Sequence, residues 1–196
     1  MRRGSPFTIL LLAFSVVAGA GLLMIAWGGG GEDVTVIYEA DVPAWSWRGG
    51  TPTDQFLALI TSDMDLRRVQ SALPATVWAQ VGPEAQERLA AGDSAVIVAY
   101  LGEFPTGGYA IRVRRVTVQA AEAEGDLPVV TVTVARRQPT PGEFVIQAFT
   151  YPYDFVVVPK SSLPGEPYRV QFVDDDGNEL NGGTSSPLGG PRRPSE

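Results

Sequence analysis

Neither cysteine nor histidine occurs anywhere in the chain. Together these absences exclude thiol nucleophiles, disulfides, Cys/His zinc sites and imidazole general-base catalysis. The lack of cysteine leaves the redox compartment open, because a domain of about 150 residues buries enough apolar surface to hold a core without staples. Lysine is nearly missing too, with Lys160 the only one. Acidic residues number 22 against 15 basic ones, a formal net charge of −7. Setting aside Arg2 and Arg3, which precede an apolar run, leaves 13 basic residues against 22 acidic, or −9. Such a body repels nucleic acid and anionic headgroups, so nucleic acid is not an expected partner.

Long hydrophobic runs are absent except at the N-terminus, where "FTILLLAFSVVAGAGLLMIAW" extends uncharged from Phe7 to Trp27. As a helix it spans about 30 Å, the thickness of a bilayer's hydrocarbon core. Arg2 and Arg3 belong on the cytoplasmic side and Trp27 at the outer interface. The expectation is a single-pass anchor in the cytoplasmic membrane through residues 7–27, with the rest of the chain extracytoplasmic. Cleavage near Ala20, at Ala18-Gly19-Ala20, is the alternative and gives a secreted domain. The apolar run continues past that point, which favours the anchor. Residues 1–31 are thus read as anchor and glycine spacer, 32–180 as a β-rich domain, and 181–196 as a disordered tail with almost nothing to bury.

Within the domain, alternation predicts strands at 33–40, 109–120 and 129–137, and short apolar runs predict strands at 56–60, 94–101, 143–151, 154–159 and 168–173. Residues 43–53 read as a loop. Ser62 and Asp65 form a helix start, with Leu66, Val69 and Leu73 at helical spacing and Pro74 as the stop. A second short helix is expected over 82–92, with Pro83 near its start and Gly92 past its end. In 109–120 the parity of the apolar residues changes between Val113 and Val116, which requires a bulge near Arg114-Arg115. The expected fold is α+β: a mainly antiparallel sheet of about seven or eight strands with one or two short helices, preceded by the transmembrane helix.

Several motifs invite chemistry. Gly102 and Gly107 have the outer spacing of a phosphate loop, but Gly108 and Tyr109 follow where Lys and Ser/Thr are needed, and a strand follows instead of a helix. The local signal is a hairpin between two strands, with Gly107-Gly108 supplying positive φ. In "DDDGNE" Gly177 falls at the wrong position for a calcium loop, so an Asp-Gly turn is expected, with a weak cation site at Asp174–Asp176 left open. Lys160 beside Ser161 and Ser162 lacks the buried setting of a Ser-Lys dyad. Arg112, Arg114, Arg115, Arg136 and Arg137 are read as salt-bridging residues on a solvated face. Trp45 and Trp47 share a face in extended chain, either closing the core or forming an aromatic anchor. Tyr151, Pro152 and Tyr153 pose the same choice. No cofactor, metal set or catalytic pair is singled out. An enzyme with paired carboxylates is the least supported reading.

Two stretches, "VAYLGEFPTGGYAIRVRRV" and "PGEFVIQAFTYPYDFVVVPKS", resemble the PrcB C-terminal domain family. The resemblance rests on Leu101, Gly102, Pro105, Thr106, Gly107, Gly108 and Tyr109, then on Pro141, Gly142, Gln147, Ala148, Pro152, Tyr153, Pro159 and Lys160. It covers residues 93–162, with Ile146 where the family often has Thr. It implies a secreted or envelope-anchored, non-catalytic subunit that associates with and stabilises a surface protease complex. Many relatives are lipoproteins anchored through a cysteine; this chain has none and would use its N-terminal helix. "FPTGGY" is also similar to a loop of chagasin-type protease inhibitors, with Phe104 in place of that loop's Asn. The expected partner surface combines Pro105, Thr106, Gly107, Gly108 and Tyr109 with Gln147, Tyr151, Pro152 and Tyr153, if the fold brings the two segments together.

Overall fold

The computed structural model describes residues 34–50, 52–180 and 183–184. The expected membrane segment at 7–27 lies outside these residues. Among those described, no helix is long and apolar enough to cross a membrane. Among the described residues eight strands and two α-helices run in the order β1 (Val34–Glu39), β2 (Phe56–Ile60), α1 (Asp63–Ala72), α2 (Ala75–Ala90), β3 (Ser94–Tyr100), β4 (Ala110–Gln119), β5 (Val129–Arg137), β6 (Tyr153–Pro159), β7 (Arg169–Val173) and β8 (Gly183–Thr184), with a short 3₁₀ helix at Lys160–Ser162 after β6. The last of these falls within the expected tail; residues 181–182 and 185–196 lie outside the described part.

The strands form two four-stranded sheets, β1-β4-β5-β7 and β6-β3-β2-β8, in place of the single sheet expected. Both are mixed, because β7 pairs parallel to β5 and β8 parallel to β2. The reason is visible in β3. Ala95, Ile97 and Ala99 are buried on one face, and Val96, Val98 and Tyr100 on the other. A strand apolar on both faces needs cover on both. One core, holding Ile97, Leu57, Val113, Val132 and Phe172, lies between the sheets. The other, holding Val96, Val98, Leu66, Val69, Val77 and Val81, lies between the second sheet and the helices. The result is three layers: helices, sheet, sheet.

β3 and β4 consequently sit in different sheets, and residues 101–109 carry the chain from one to the other. The expected hairpin is a crossover instead. A Gly-Gly pair between two apolar runs serves either geometry, so the local pattern does not distinguish them. The bulge is where the parity places it. β4–β5 register slips between Val113 and Arg115, which keeps Val113 and Val116 on the same buried face.

Ser62 caps α1, accepting from the Asp65 N–H at 3.3 Å, while Asp65 Oδ2 accepts from the Thr61 N–H at 3.3 Å. α2 differs from expectation: it begins at Ala75, directly after Pro74, and carries Pro83 in its interior. Pro83 removes one helical hydrogen bond. Burial of Val77, Val81 and Ala85, four residues apart, offsets that loss. The expected strand at 143–151 is absent: apart from one isolated bridge at Thr150, the segment is an exposed loop.

Candidate functional site

The crossover and this loop clasp each other. The Phe104 N–H donates to the Thr150 carbonyl at 2.9 Å, and the Thr150 N–H returns to the Phe104 carbonyl at 2.8 Å. The Gly107 N–H donates to the Ile146 carbonyl and the Leu101 N–H to the Pro152 carbonyl, each at 2.9 Å. The Thr150 hydroxyl donates to the Thr106 carbonyl at 2.8 Å. Residues 105–109 and 147–152, far apart in sequence, therefore form one tip.

The glycines are the floor of this clasp rather than its exposed surface. A Cβ on Gly107 would meet Ile146 Cγ1 at 2.7 Å, and one on Gly108 would meet Val145 Cγ1 at 2.8 Å. Gly108 also has φ of +88°, where a side chain is strained. Arg137 braces the loop from below, donating to the Gly108 carbonyl and pairing with Glu143. Hydrogen bonds from the Thr140 N–H and from Arg137 hold the Glu143 carboxyl below the usual range. Gly108→Ala should cost roughly 2–4 kcal/mol from φ strain and overpacking together. Gly142 has φ of +86° with nothing within 4 Å, so Gly142→Ala should cost only about 1 kcal/mol. Urea unfolding of the two variants measures that difference.

Under the tip, Phe104 stacks on Tyr109 with centroids 3.9 Å apart and 16° between planes. Trp47 meets both rings edge-on at 6.4 Å, and the Arg136 guanidinium lies 5.3 Å from the Trp47 ring centroid. Arg136 is buried, 3.6 Å from Asp174. Burial lowers its pKa and Asp174 works in the opposite sense. Trp47 thus closes the core, and Tyr109 is packed against its neighbours instead of standing outward as an isolated phenol.

All five arginines of the predicted stripe are in ion pairs: Arg112 with Asp154, Arg114 with Asp175, Arg115 with Glu39, Arg136 with Asp174 and Arg137 with Glu143. Asp174–Asn178 is a turn closed by the Asp174 N–H to the Asn178 carbonyl, with Gly177 at φ +83°. Burial pushes the Asp174 carboxyl up, but hydrogen bonds from Asn178 and Asp176 and the nearby Arg136 hold it below the usual range. Lys160 Nζ lies 3.3 Å from the Thr61 carbonyl. No cluster of three or more potential metal ligands occurs among the described residues.

Of the nominated residues, Pro105 and Gln147 are exposed, Thr106, Tyr109, Tyr151 and Pro152 half-buried, and Gly107 buried. Tyr153 turns away from the tip, its hydroxyl donating to Gln80 Oε1 of α2 at 2.7 Å. What sequence reasoning missed is the outermost layer. Phe144 is fully exposed, and Ile146 and Phe149 are each 66% exposed. Reading 143–151 as a strand hid them. The available signal was three successive apolar residues, Phe144 to Ile146, between Pro141-Gly142 and Pro152.

Residues 95–159 match the family model described as PrcB C-terminal. That span runs from the second residue of β3 to the last of β6, and so contains the crossover, the loop and the tip they form. No curated protein and no solved structure matches the chain.

Proposed function

Because residues 95–159 match the PrcB C-terminal family model, we propose that the chain is an anchored, extracytoplasmic, non-catalytic binding module associated with a protease complex, and that its tip is the docking surface. The observation that carries this reading is the exposure of Phe144, Ile146 and Phe149 on a loop held by backbone hydrogen bonds. Large apolar side chains in water, presented on an ordered support, are the usual makings of a protein-binding hot spot.

Topology favours a protein partner over lipid. Val34 pairs with Gln119 at the far end of β4, whereas the tip adjoins Ala110 at its near end. At about 3.3 Å per residue the two are roughly 30 Å apart. Val34, the first described residue after the expected anchor, therefore lies at the pole opposite the tip. The chagasin-like alternative draws less support, because Gly107 and Gly108 lie beneath Ile146 and Val145.

Photocross-linking in intact cells tests the proposal. A benzophenone amino acid is placed at Phe144, at Phe149 and, as the opposite-pole control, at Leu127, which is 37% exposed. Adducts containing a protease-complex subunit are expected from the first two positions alone. Lipid adducts, no adducts, or equal capture from Leu127 would overturn it.

A further inference from the structure

Beside the tip, where α1 meets α2 at the end of β3, lies an open cleft of about 390 Å³ lined by Asp54, Ala72, Leu73, Pro74, Tyr100 and Glu103. We infer that this cleft receives a cationic side chain, a lysine or arginine of the docked partner, with Asp54 and Glu103 as its counter-ions and Tyr100 as an additional polar contact. The inference rests on the docking role proposed for the tip and specifies what that partner carries.

Three features converge. Asp54 and Glu103 are exposed carboxylates, and neither is in an ion pair among the described residues. The floor is apolar, from Ala72, Leu73 and Pro74, which suits the alkyl stem of a long basic side chain. Ala72 ends α1, whose last turn has no basic residue. Pro74 directly precedes α2, whose first turn has no acidic residue, so the opposite partial charges of the two helix ends offset each other here and the negative charge of the cleft is that of the carboxylates.

The third feature is independent of charge. Tyr100 is 2% exposed, lines the cleft, and makes no side-chain hydrogen bond among the described residues. Its hydroxyl is not shut off from solvent; it reaches the open cleft, where a ligand's polar group would take the place of water as its partner. The Tyr151 phenol lies near the Glu103 carboxylate, which raises its pKa. Glu103 directly precedes Phe104, which bridges to Thr150, so cleft and tip share a wall. Two carboxylates at an open mouth are too few oxygens for a tight calcium site, whereas an ammonium or guanidinium group needs only these.

The phenol of Tyr100 is itself a reporter. Burial, then Asp54, Glu103 and Tyr151, push its pKa up to about 12. The folded chain holds this proton where an unfolded chain, with a pKa near 10, has lost it. The contribution to stability is present below pH 10 and disappears as pH rises through about 12. Alkaline unfolding monitored by circular dichroism should steepen in that window and flatten in Tyr100→Phe.

The test uses the full chain in nanodiscs with ring-¹³C tyrosine, which gives signals from six residues; Tyr100→Phe and Tyr151→Phe assign the two that matter. The probes are Nα-acetyl-lysine N-methylamide, its neutral norleucine counterpart and calcium chloride. Addition of the lysine compound should move the Tyr100 and Tyr151 signals, with the norleucine compound at least about tenfold weaker. Asp54→Asn with Glu103→Gln, both at exposed positions, should cost about tenfold or more in lysine affinity. An unmoved Tyr100, an equal response to norleucine, a response that survives the double substitution, or calcium displacing the lysine compound would each overturn the inference. Cross-linking from Phe144 and Phe149 is unaffected by those results, so failure of the cleft and failure of the docking surface are read separately.

Discussion

Asp154→Ala should destabilise the domain by about 3 kcal/mol, more than any other single change of an ionisable residue at the sheet interface. Asp154 lies on β6 in the second sheet and is 6% exposed. Its Oδ2 accepts from the backbone N–H of Val113 on β4, in the first sheet, at 2.8 Å. Its Oδ1 accepts from Arg112 Nη1, also at 2.8 Å. Val113 is the last residue in register before the bulge. One carboxylate thus supplies the other sheet with the acceptor that this N–H uses. Alanine leaves a buried donor without a partner, at a cost of about 1–3 kcal/mol, and also removes a charge-assisted bond. Asp154→Asn keeps an acceptor for Val113 and should recover about half of the loss. The Arg112 side chain is 54% exposed, so Arg112→Ala should cost less than about 1 kcal/mol. For a domain of this size about 3 kcal/mol lowers the thermal midpoint by roughly 6–12 °C. Calorimetry of the three variants checks the order, and equal effects of Asp154→Ala and Arg112→Ala would dismiss the inter-sheet role.

The largest effect on function should come from Phe144→Ser and Phe149→Ser. Each removes an exposed aromatic ring from the proposed docking surface. Central aromatic residues of an interface contribute about 2 kcal/mol or more, or roughly 30-fold in affinity each. Because both rings face solvent in the free chain, stability should change by no more than about 0.5 kcal/mol. The measurement is affinity of the full chain for the cross-linked partner, with thermal unfolding of the same samples. Leu127→Ser, at the opposite pole, should alter neither. Undiminished affinity in the double variant would remove the tip from the interface, and a matching fall in thermal midpoint would assign the loss to folding.

The parts of this molecule that could be read in one dimension are those with local causes. The alternation of Val130, Val132 and Val134 sufficed for β5, because every second side chain of a strand faces the same way. The change of parity between Val113 and Val116 located the bulge, since a strand cannot change faces without an extra residue. Ser62 and Asp65 marked the start of α1 through bonds spanning three residues. The blocks from Leu101 to Tyr109 and from Pro141 to Lys160 carried the family resemblance, which the match over residues 95–159 supports.

Tertiary structure alone decided the rest. Whether Gly107-Gly108 closes a hairpin or turns a corner depends on which strands lie beside β3, and that is set by the helices covering one of its apolar faces and the first sheet covering the other. Whether Phe144 to Phe149 pair as a strand depends on a free sheet edge; the chain instead binds this segment to the crossover through a few backbone bonds and leaves its large side chains in water. The Asp154 contact to Val113 is made by the packing of one sheet on the other, and Asp54 is brought beside Tyr100 and Glu103 by the pairing of β2 with β3; neither meeting is local in sequence. Propensity and periodicity act over a few residues, whereas burial is shared by surfaces that meet only when the chain has folded.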